Sequence, residues 1–146
     1  MPDTCPECGA PVPAGGACQA NFHALLALEW EVPGGPPRVA HFYAVATHVI
    51  QHPGSMGYTR EALEQLRGAV RDVLAGRASI ADALRRARLH AAAAGRITRR
   101  EGETAPQHAV KSWPVVVTDV LAGGVDGYAE RVEHWARTTI QALDSR

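Results

Sequence analysis

All three cysteines of this 146-residue chain lie between positions 5 and 18. Cys5 and Cys8 belong to a Cys-Pro-Glu-Cys-Gly turn, and Cys18 follows after a spacer rich in proline and glycine. A Cys-x-x-Cys-Gly turn directs two thiolates towards one point, and its glycine relieves the tight backbone behind the second cysteine. This pattern is typical of zinc knuckles and ribbons. We therefore expect residues 1–18 to form a metal-binding arm.

The number of thiols favours a metal over a disulfide, because a disulfide would leave one cysteine unpaired. The N-terminus carries no basic leader followed by an apolar segment, and no stretch approaches the ~20 apolar residues of a membrane span. We therefore expect a cytoplasmic protein without membrane contacts, in which thiols stay reduced. In that setting we expect zinc as the cofactor.

The charge balance argues against one large class of function. The chain has 15 basic and 15 acidic residues, so it lacks the positive field of a dedicated nucleic-acid-binding domain. With 46% hydrophobic residues it can bury an ordinary core. We expect one domain spanning residues 1–146.

Helical periodicity dominates the chain after Cys18. It predicts an all-α fold of about five to six helices, in which the zinc-knuckle-like arm packs on a helical hairpin. The predicted segments are the hairpin at 19–52, two further helices at 58–95, a loop at 96–112, and a short and a long helix within 113–146.

Proline, glycine and capping residues set the predicted helix boundaries. A proline- and glycine-rich run at 33–37 separates the two helices of the hairpin. Ser79 begins the fourth helix and Gly95 ends it, and Asp126 caps the last helix. The valine run at 115–117 is compatible with a short strand.

The expected metal site needs a fourth ligand, since structural zinc is usually tetrahedral. In an antiparallel hairpin, the start of the first helix, beside Cys18, lies near the end of the second, where His52 precedes a proline. His41 lies about 16 Å from His52 along the helix axis, so one ion cannot reach both. We therefore predict Cys5, Cys8, Cys18 and His52 as ligands, with His23 and then His48 as substitutes. The alternative is that His52 only caps the helix end.

Several sequence features together resemble an uncharacterised bacterial family, a domain of unknown function. They are the Cys-Pro-x-Cys-Gly turn, the later cysteine, a Gln-His-Pro helix end, and a Val-Thr-Asp-Val run before a last helix with Tyr and Trp. The resemblance spans nearly the whole chain, and its shared positions match Cys5, Cys8, Cys18, His41, Gln51 and His52. It supports His52 over His23 and His48 as a ligand. It implies no activity, because the family has none that is established.

An enzyme would need groups beyond the metal ligands, such as a carboxylate that serves as a general base. The weak catalytic candidates are Glu29 and His41, which face each other across the end of the predicted hairpin. A hydrogen bond between two half-buried polar groups is the favoured explanation of this pair and needs no chemistry. Glu7, between two cysteines, is expected to be exposed.

A local excess of arginine between positions 77 and 100 could bind phosphates or an acidic partner. Arg77 is the first arginine of this segment. The candidate anion-binding residues are Arg85, Arg86, Arg88, Arg96, Arg99 and Arg100. A solvated helix end is the favoured explanation, because aromatic residues for stacking on bases are missing there and the chain is neutral overall.

These observations favour a non-catalytic interaction or regulatory module with structural zinc and an unidentified protein partner. One alternative is a metal-dependent, hydrolase-like enzyme that uses the Cys/His site with Glu29 or His41. A second alternative is a binder of nucleic acid or an acidic partner through the arginine-rich segment.

Overall fold

The computed structural model describes residues 3–94, 96–107, 110 and 112–145, apart from the side chains of residues 91 and 94. These residues contain two short strands and six helices. The elements are β1 (Asp3–Thr4), β2 (Pro11–Val12), α1 (Cys18–Glu29), α2 (Arg38–Gln51), α3 (Arg60–Leu74), α4 (Ile80–Ala94), α5 (Val117–Ala122) and α6 (Tyr128–Asp144). The predicted helical fold of five to six helices is confirmed. Gly95, the predicted end of the fourth helix, lies outside the described residues.

The N-terminal arm is a small antiparallel hairpin. Strands β1 and β2 pair Asp3 with Val12, and the turn between them contains both cysteines of the Cys-x-x-Cys motif. The amide of Gly9 donates to the carbonyl of Cys5 at 2.8 Å, and Gly9 adopts a φ of +84° that favours glycine. The hairpin therefore closes the turn and fixes the direction of the two thiols.

Helix α2 is the central element of the fold. It packs against α3 and α6, while α1 packs against α5, and α3 packs against α4. Most of α2 is buried, and the core around it includes Leu25, Ile50, Leu63 and Trp135, each at most 1% exposed. This packing on several sides fixes the positions of both ends of α2 in the fold.

Helices α1 and α2 run antiparallel, as the predicted hairpin requires. The rings of Phe22 and His48 stack with centroids 4.0 Å apart, and Glu29 near the end of α1 bonds His41 near the start of α2. The end of α2 consequently lies beside the start of α1.

Two predicted boundary features differ from the structure. Helix α6 begins after Gly127, which has a left-handed φ of +70°, and Asp126 does not cap it with its side chain. The valines at 115–117 form no strand, because Val117 begins α5 and the carboxylate of Asp119 accepts from the amide of Val116 at 2.8 Å. Local hydrogen bonding therefore overrides the β propensity of the valine run. Ser79 does cap α4, since its hydroxyl accepts from the amide of Asp82.

The segment after α4 returns to the turn that follows α2. Tyr58 and Thr98 form an antiparallel bridge, and the amide of Thr59 donates to the carbonyl of Ile97 at 2.7 Å. This part of the predicted loop at 96–112 is therefore tied to the rest of the fold. None of the helices in the described part of the chain is long and apolar enough to cross a membrane.

Candidate metal centre

Three cysteines and one histidine converge at the junction of the arm with the helices. The ligand atoms of Cys5, Cys8, Cys18 and His52 all lie within 4.8 Å of one another, and all four residues are buried. Cys5 and Cys8 come from the turn of the arm, Cys18 is the first residue of α1, and His52 follows the last residue of α2. These are the four residues predicted to lie together, and they could hold a metal ion.

The imidazole of His52 is oriented by its own helix. Its Nδ1 lies 2.7 Å from the carbonyl oxygen of His48, which can only accept, so Nδ1 carries the proton. The Nε2 atom is buried and has no hydrogen-bond partner among the described residues. Burial lowers the pKa of His52, although the bond to His48 and the nearby Glu7 carboxylate oppose this effect. The ring is therefore neutral and offers an unprotonated Nε2, as a metal-bound histidine must.

The three thiols are free and have the separation of metal ligands. The Sγ atoms of Cys8 and Cys18 are 3.6 Å apart, far longer than a disulfide bond of about 2 Å. Two zinc–sulfur bonds of about 2.3 Å at a tetrahedral angle place their sulfur atoms about 3.8 Å apart. The amide of Ala10 donates to the sulfur of Cys8 and the side chain of Asn21 lies 3.7 Å from that of Cys18. These contacts fix the directions of the two sulfurs.

Burial raises the pKa of Cys8 and of Cys18. The charges of Cys18 and Cys5 add to this effect at Cys8, and Cys5 adds to it at Cys18, where the contacts with Asn21 and Cys8 oppose it. Three thiolates packed together without a cation repel one another in a low-dielectric environment. A divalent cation reverses this balance, because it replaces the thiol protons and compensates the negative charge.

The two substitute ligands lie outside this group of four. His23 is exposed on α1. The ring of His48 is sandwiched between those of Phe22 and His52, at centroid distances of 4.0 and 4.1 Å. Burial, followed by the charges of His52 and His23, lowers the pKa of His48 to about 3, so its ring is neutral. His48 therefore supports His52 through its carbonyl and by stacking.

Glu7 is part of the centre, and the expectation that it is exposed is wrong. One carboxylate oxygen accepts from the amide of Gly54 at 2.6 Å and the other from the amide of Ser55 at 3.2 Å. Glu7 thereby ties the cysteine turn to the backbone directly after His52. A Cβ on Gly54 would lie 2.8 Å from Glu7 Oε1. A glycine at this position permits the close approach.

Glu29 and His41 meet at the other end of the hairpin. Glu29 is 1% exposed, and its carboxylate accepts from His41 Nδ1 at 2.7 Å and from the hydroxyl of Tyr128 at 2.6 Å. Eleven residues of helix separate His41 from His52, about 16 Å along the axis. The pair is therefore remote from the thiols. Tyr128 was missed as its partner, although a buried tyrosine hydroxyl usually needs a hydrogen bond.

Most of the predicted anion-binding arginines already have protein partners. Acidic side chains pair with Arg77, Arg85, Arg86 and Arg96. Arg99 is half-buried and donates to the carbonyls of Pro53, Gly54 and Tyr58 at 2.8 to 2.9 Å. These ion pairs and hydrogen bonds therefore engage much of the positive charge of the segment between positions 77 and 100.

Gln51, next to His52, has a structural role that its place in the chain did not reveal. Its side-chain amide donates to the carbonyl of Val115 at 3.0 Å and to the hydroxyl of Thr139 at 2.9 Å. The end of α2 is thereby fixed to α6 and to the segment before α5. His52 consequently has a firm backbone support.

No curated protein and no solved structure shows a significant match. Residues 3–144 match the model of a family described as a family of unknown function, DUF5946. Because this match covers nearly the whole chain, the protein belongs to that family.

Proposed function

We propose that Cys5, Cys8, Cys18 and His52 bind one zinc ion that stabilises the fold. The observation that carries this proposal is the buried Nε2 of His52, which has no partner among the described residues. His52 offers a ligand atom within 4.8 Å of the sulfur atoms of Cys5, Cys8 and Cys18. A buried polar atom without a hydrogen bond costs about 1–3 kcal/mol, so its retention calls for an explanation. A bond from Nε2 to a metal ion explains why this nitrogen has no hydrogen bond.

The donor set favours zinc among the common metals. Thiolate and imidazole ligands suit zinc, whereas magnesium and calcium require oxygen ligands. A Cys₃His shell is a standard structural site. The Cys-x-x-Cys turn and the cap position of His52 supply these ligands from elements whose geometry is already fixed.

Two features support a structural rather than a catalytic ion. Four protein ligands complete the tetrahedral shell, while a catalytic zinc keeps one position for water. Glu7, between two of the cysteines, uses both carboxylate oxygens to accept from backbone amides. It is therefore engaged and is not placed as a general base.

In this proposal the ion fastens the arm to the helices, and the protein acts as a non-catalytic interaction or regulatory module. Large apolar side chains that stay exposed support contacts with a partner protein. They are Trp30, Val39, Leu89 and Ile97.

The test is metal binding by the purified protein and by two histidine variants. We expect one zinc per chain by elemental mass spectrometry. We expect His52→Ala to weaken zinc binding at least about 100-fold, because it removes one of four ligands. The matched control, His23→Ala, removes an exposed imidazole from the neighbouring helix and should leave the affinity unchanged.

Cobalt(II) in place of zinc tests whether the shell is closed. A closed Cys₃His shell gives the absorption of tetrahedral cobalt with thiolate charge transfer, and added azide leaves this spectrum unchanged. A spectrum that shifts with azide would contradict a structural ion. Equal zinc affinities of the two histidine variants would contradict the ligand assignment.

The alternatives receive less support from the geometry. A metal-dependent enzyme that uses Glu29 or His41 would have to act across the length of α1, about 16 Å from the thiols. A nucleic-acid surface would have to compete with the carboxylates that already pair with Arg85, Arg86 and Arg96.

A further inference from the structure

A cavity lies between α2, α3 and α4, away from the metal centre. Its volume is about 560 Å³, within the range of about 300–1,000 Å³ typical of small-molecule sites. None of the four candidate metal ligands contributes to its wall. Apolar side chains line most of it: Phe42, Val45, Ala46, Val49, Leu66 and Leu84.

The polar part of the wall consists of three arginines, His41 and Tyr58. Arg38 and His41 lie three residues apart on α2, and Arg85 and Arg88 lie three residues apart on α4, so each helix presents a pair on one face. Among the residues that the structure describes, no acidic one lines the cavity. Arg85 pairs with Asp82, whereas Arg38 and Arg88 form no ion pair with any described carboxylate. The cavity is therefore complementary to an anion.

Glu29 orients the imidazole at this wall. It accepts from His41 Nδ1 at 2.7 Å and is itself held by the hydroxyl of Tyr128. The Nε2 atom of His41 makes no bond to a described residue, and the side chain is 53% exposed. A fully buried carboxylate thus fixes a ring whose other nitrogen is available to a ligand.

We propose that this cavity binds a small amphiphilic anion, with its hydrocarbon part between α2, α3 and α4 and its carboxylate or phosphate against Arg38, Arg88 and His41. The apolar wall accommodates an alkyl chain or ring, and the unpaired guanidinium groups supply charge-assisted hydrogen bonds to the head group. The site does not depend on the metal centre, and neither does its test.

The test uses four octyl compounds that share one tail, titrated into the full metal-loaded chain by calorimetry. Octanoate and octyl phosphate should each bind with one site per chain. Octanol should bind about tenfold more weakly, because it lacks the charge that the arginines recognise. Octyltrimethylammonium should bind more weakly still. The ratio of the two anions identifies the preferred head group.

Three variants separate the contributions of charge and shape. Arg38→Gln and Arg88→Gln should each weaken octanoate about three- to fivefold and leave octanol unchanged, since each removes one partly exposed charge. Val45→Phe fills the cavity and should weaken all four compounds. Arg137→Gln, which alters an exposed arginine paired with Glu133 on α6, is the matched control and should change nothing.

Three results would overturn the proposal. The first is the absence of binding by both anions, and the second is octanoate binding that is the same in the wild type and in the doubly substituted Arg38→Gln, Arg88→Gln protein. The third is binding of a polyglutamate peptide, sensitive to both arginine variants, when octanoate does not bind. That result would assign the surface to an acidic protein segment.

Discussion

Tyr128 holds its proton firmly, because its hydroxyl is buried and donates to the carboxylate of Glu29. Burial, and then this hydrogen bond and the charge of Glu29, raise the pKa of Tyr128. The bond links α6 to the end of α1 across 99 positions of the chain. Folding therefore stabilises the protonated form of Tyr128.

Tyr128→Phe should change how stability depends on alkaline pH. Above a pH of about 10 the unfolded chain loses the tyrosine proton while the folded protein keeps it, so stability falls as pH rises, by about 1.4 kcal/mol per pH unit. The variant lacks this contribution, and its free energy of unfolding should fall less steeply. At neutral pH it should be destabilised by a constant 1–3 kcal/mol or so, because a Glu29 oxygen loses its donor.

Urea unfolding over a pH series measures both effects. The difference between wild type and variant should be constant near neutrality and shrink above a pH of about 10. Parallel curves throughout the alkaline range would show that Tyr128 titrates alike in both states.

At the residue scale, helix geometry predicts some contacts from the sequence and does not predict others. The grouping of His52 with Cys18 follows from an antiparallel hairpin of two helices of similar length. The partners of Glu7 and Tyr128 could not be predicted in this way. Glu7 bonds Gly54 across 47 positions, and such pairings depend on how elements pack in three dimensions.

The connection between the arm and the end of α2 depends on the close approach of Glu7 to Gly54. Gly54→Ala would place a Cβ 2.8 Å from Glu7 Oε1 and displace that carboxylate. We expect a loss of about 1–2 kcal/mol in stability from the two broken hydrogen bonds and about tenfold weaker zinc binding. Titration with a competing chelator measures the affinity.

Glu7→Gln should produce the same change in zinc affinity, because an amide group in place of one oxygen cannot accept from both backbone amides. Glu31→Gln is the matched control, since Glu31 is exposed beyond the end of α1. An effect of Glu31→Gln equal to that of Glu7→Gln would assign the change to net charge alone.

The segment after α4 depends on Arg99, which closes the turn after α2. Arg99→Gln should destabilise the protein by about 2 kcal/mol, because it leaves the carbonyls of Pro53, Gly54 and Tyr58 without their charged donor. Arg100→Gln, at the neighbouring exposed position, should cost less than about 0.5 kcal/mol. Chemical denaturation of the two variants provides the measurement. Equal losses in the free energy of unfolding would show that Arg99 does not stabilise this turn.

At the element scale, the sequence predicted the helices well and the short strands not at all. Apolar periodicity and breaks such as the run at 33–37 define α1 to α4 and α6 locally. Strands β1 and β2 have two residues each, too few to show alternation. The cap of α6 was misplaced by one residue, since Gly127 rather than Asp126 occupies the N-cap position.

For the molecule as a whole, the arm and the helices have different sources of stability. Residues 3–17 bury few apolar side chains, chiefly Ala10 and Val12, which contribute about 3 kcal/mol. Ordering a backbone costs about 1–2 kcal/mol per residue. The helices instead share a core around Trp135 and Ile50. An ion bound by Cys5, Cys8, Cys18 and His52, as proposed above, would supply the stability that the arm does not obtain from apolar burial.

Removing the metal should therefore loosen the arm and leave the helical core folded. After chelation we expect hydrogen exchange to accelerate at residues 3–17, while α6 stays protected and the helical circular dichroism signal is largely retained. Mass-spectrometric hydrogen exchange with and without chelator measures this. Loss of the whole helical signal would show that the ion supports the entire fold, and unchanged exchange at the arm would show that it supports none of it.

The order of the four candidate ligands along the chain has a consequence for its biosynthesis. A ribosome releases the chain from the N-terminus, so Cys5, Cys8 and Cys18 emerge before α2 has been made. These three residues would offer sulfur donors to an ion before the imidazole of His52 is available. His52 joins them only when α1 packs against α2. In a newly made chain, metal capture can therefore precede the docking of the helices and guide it.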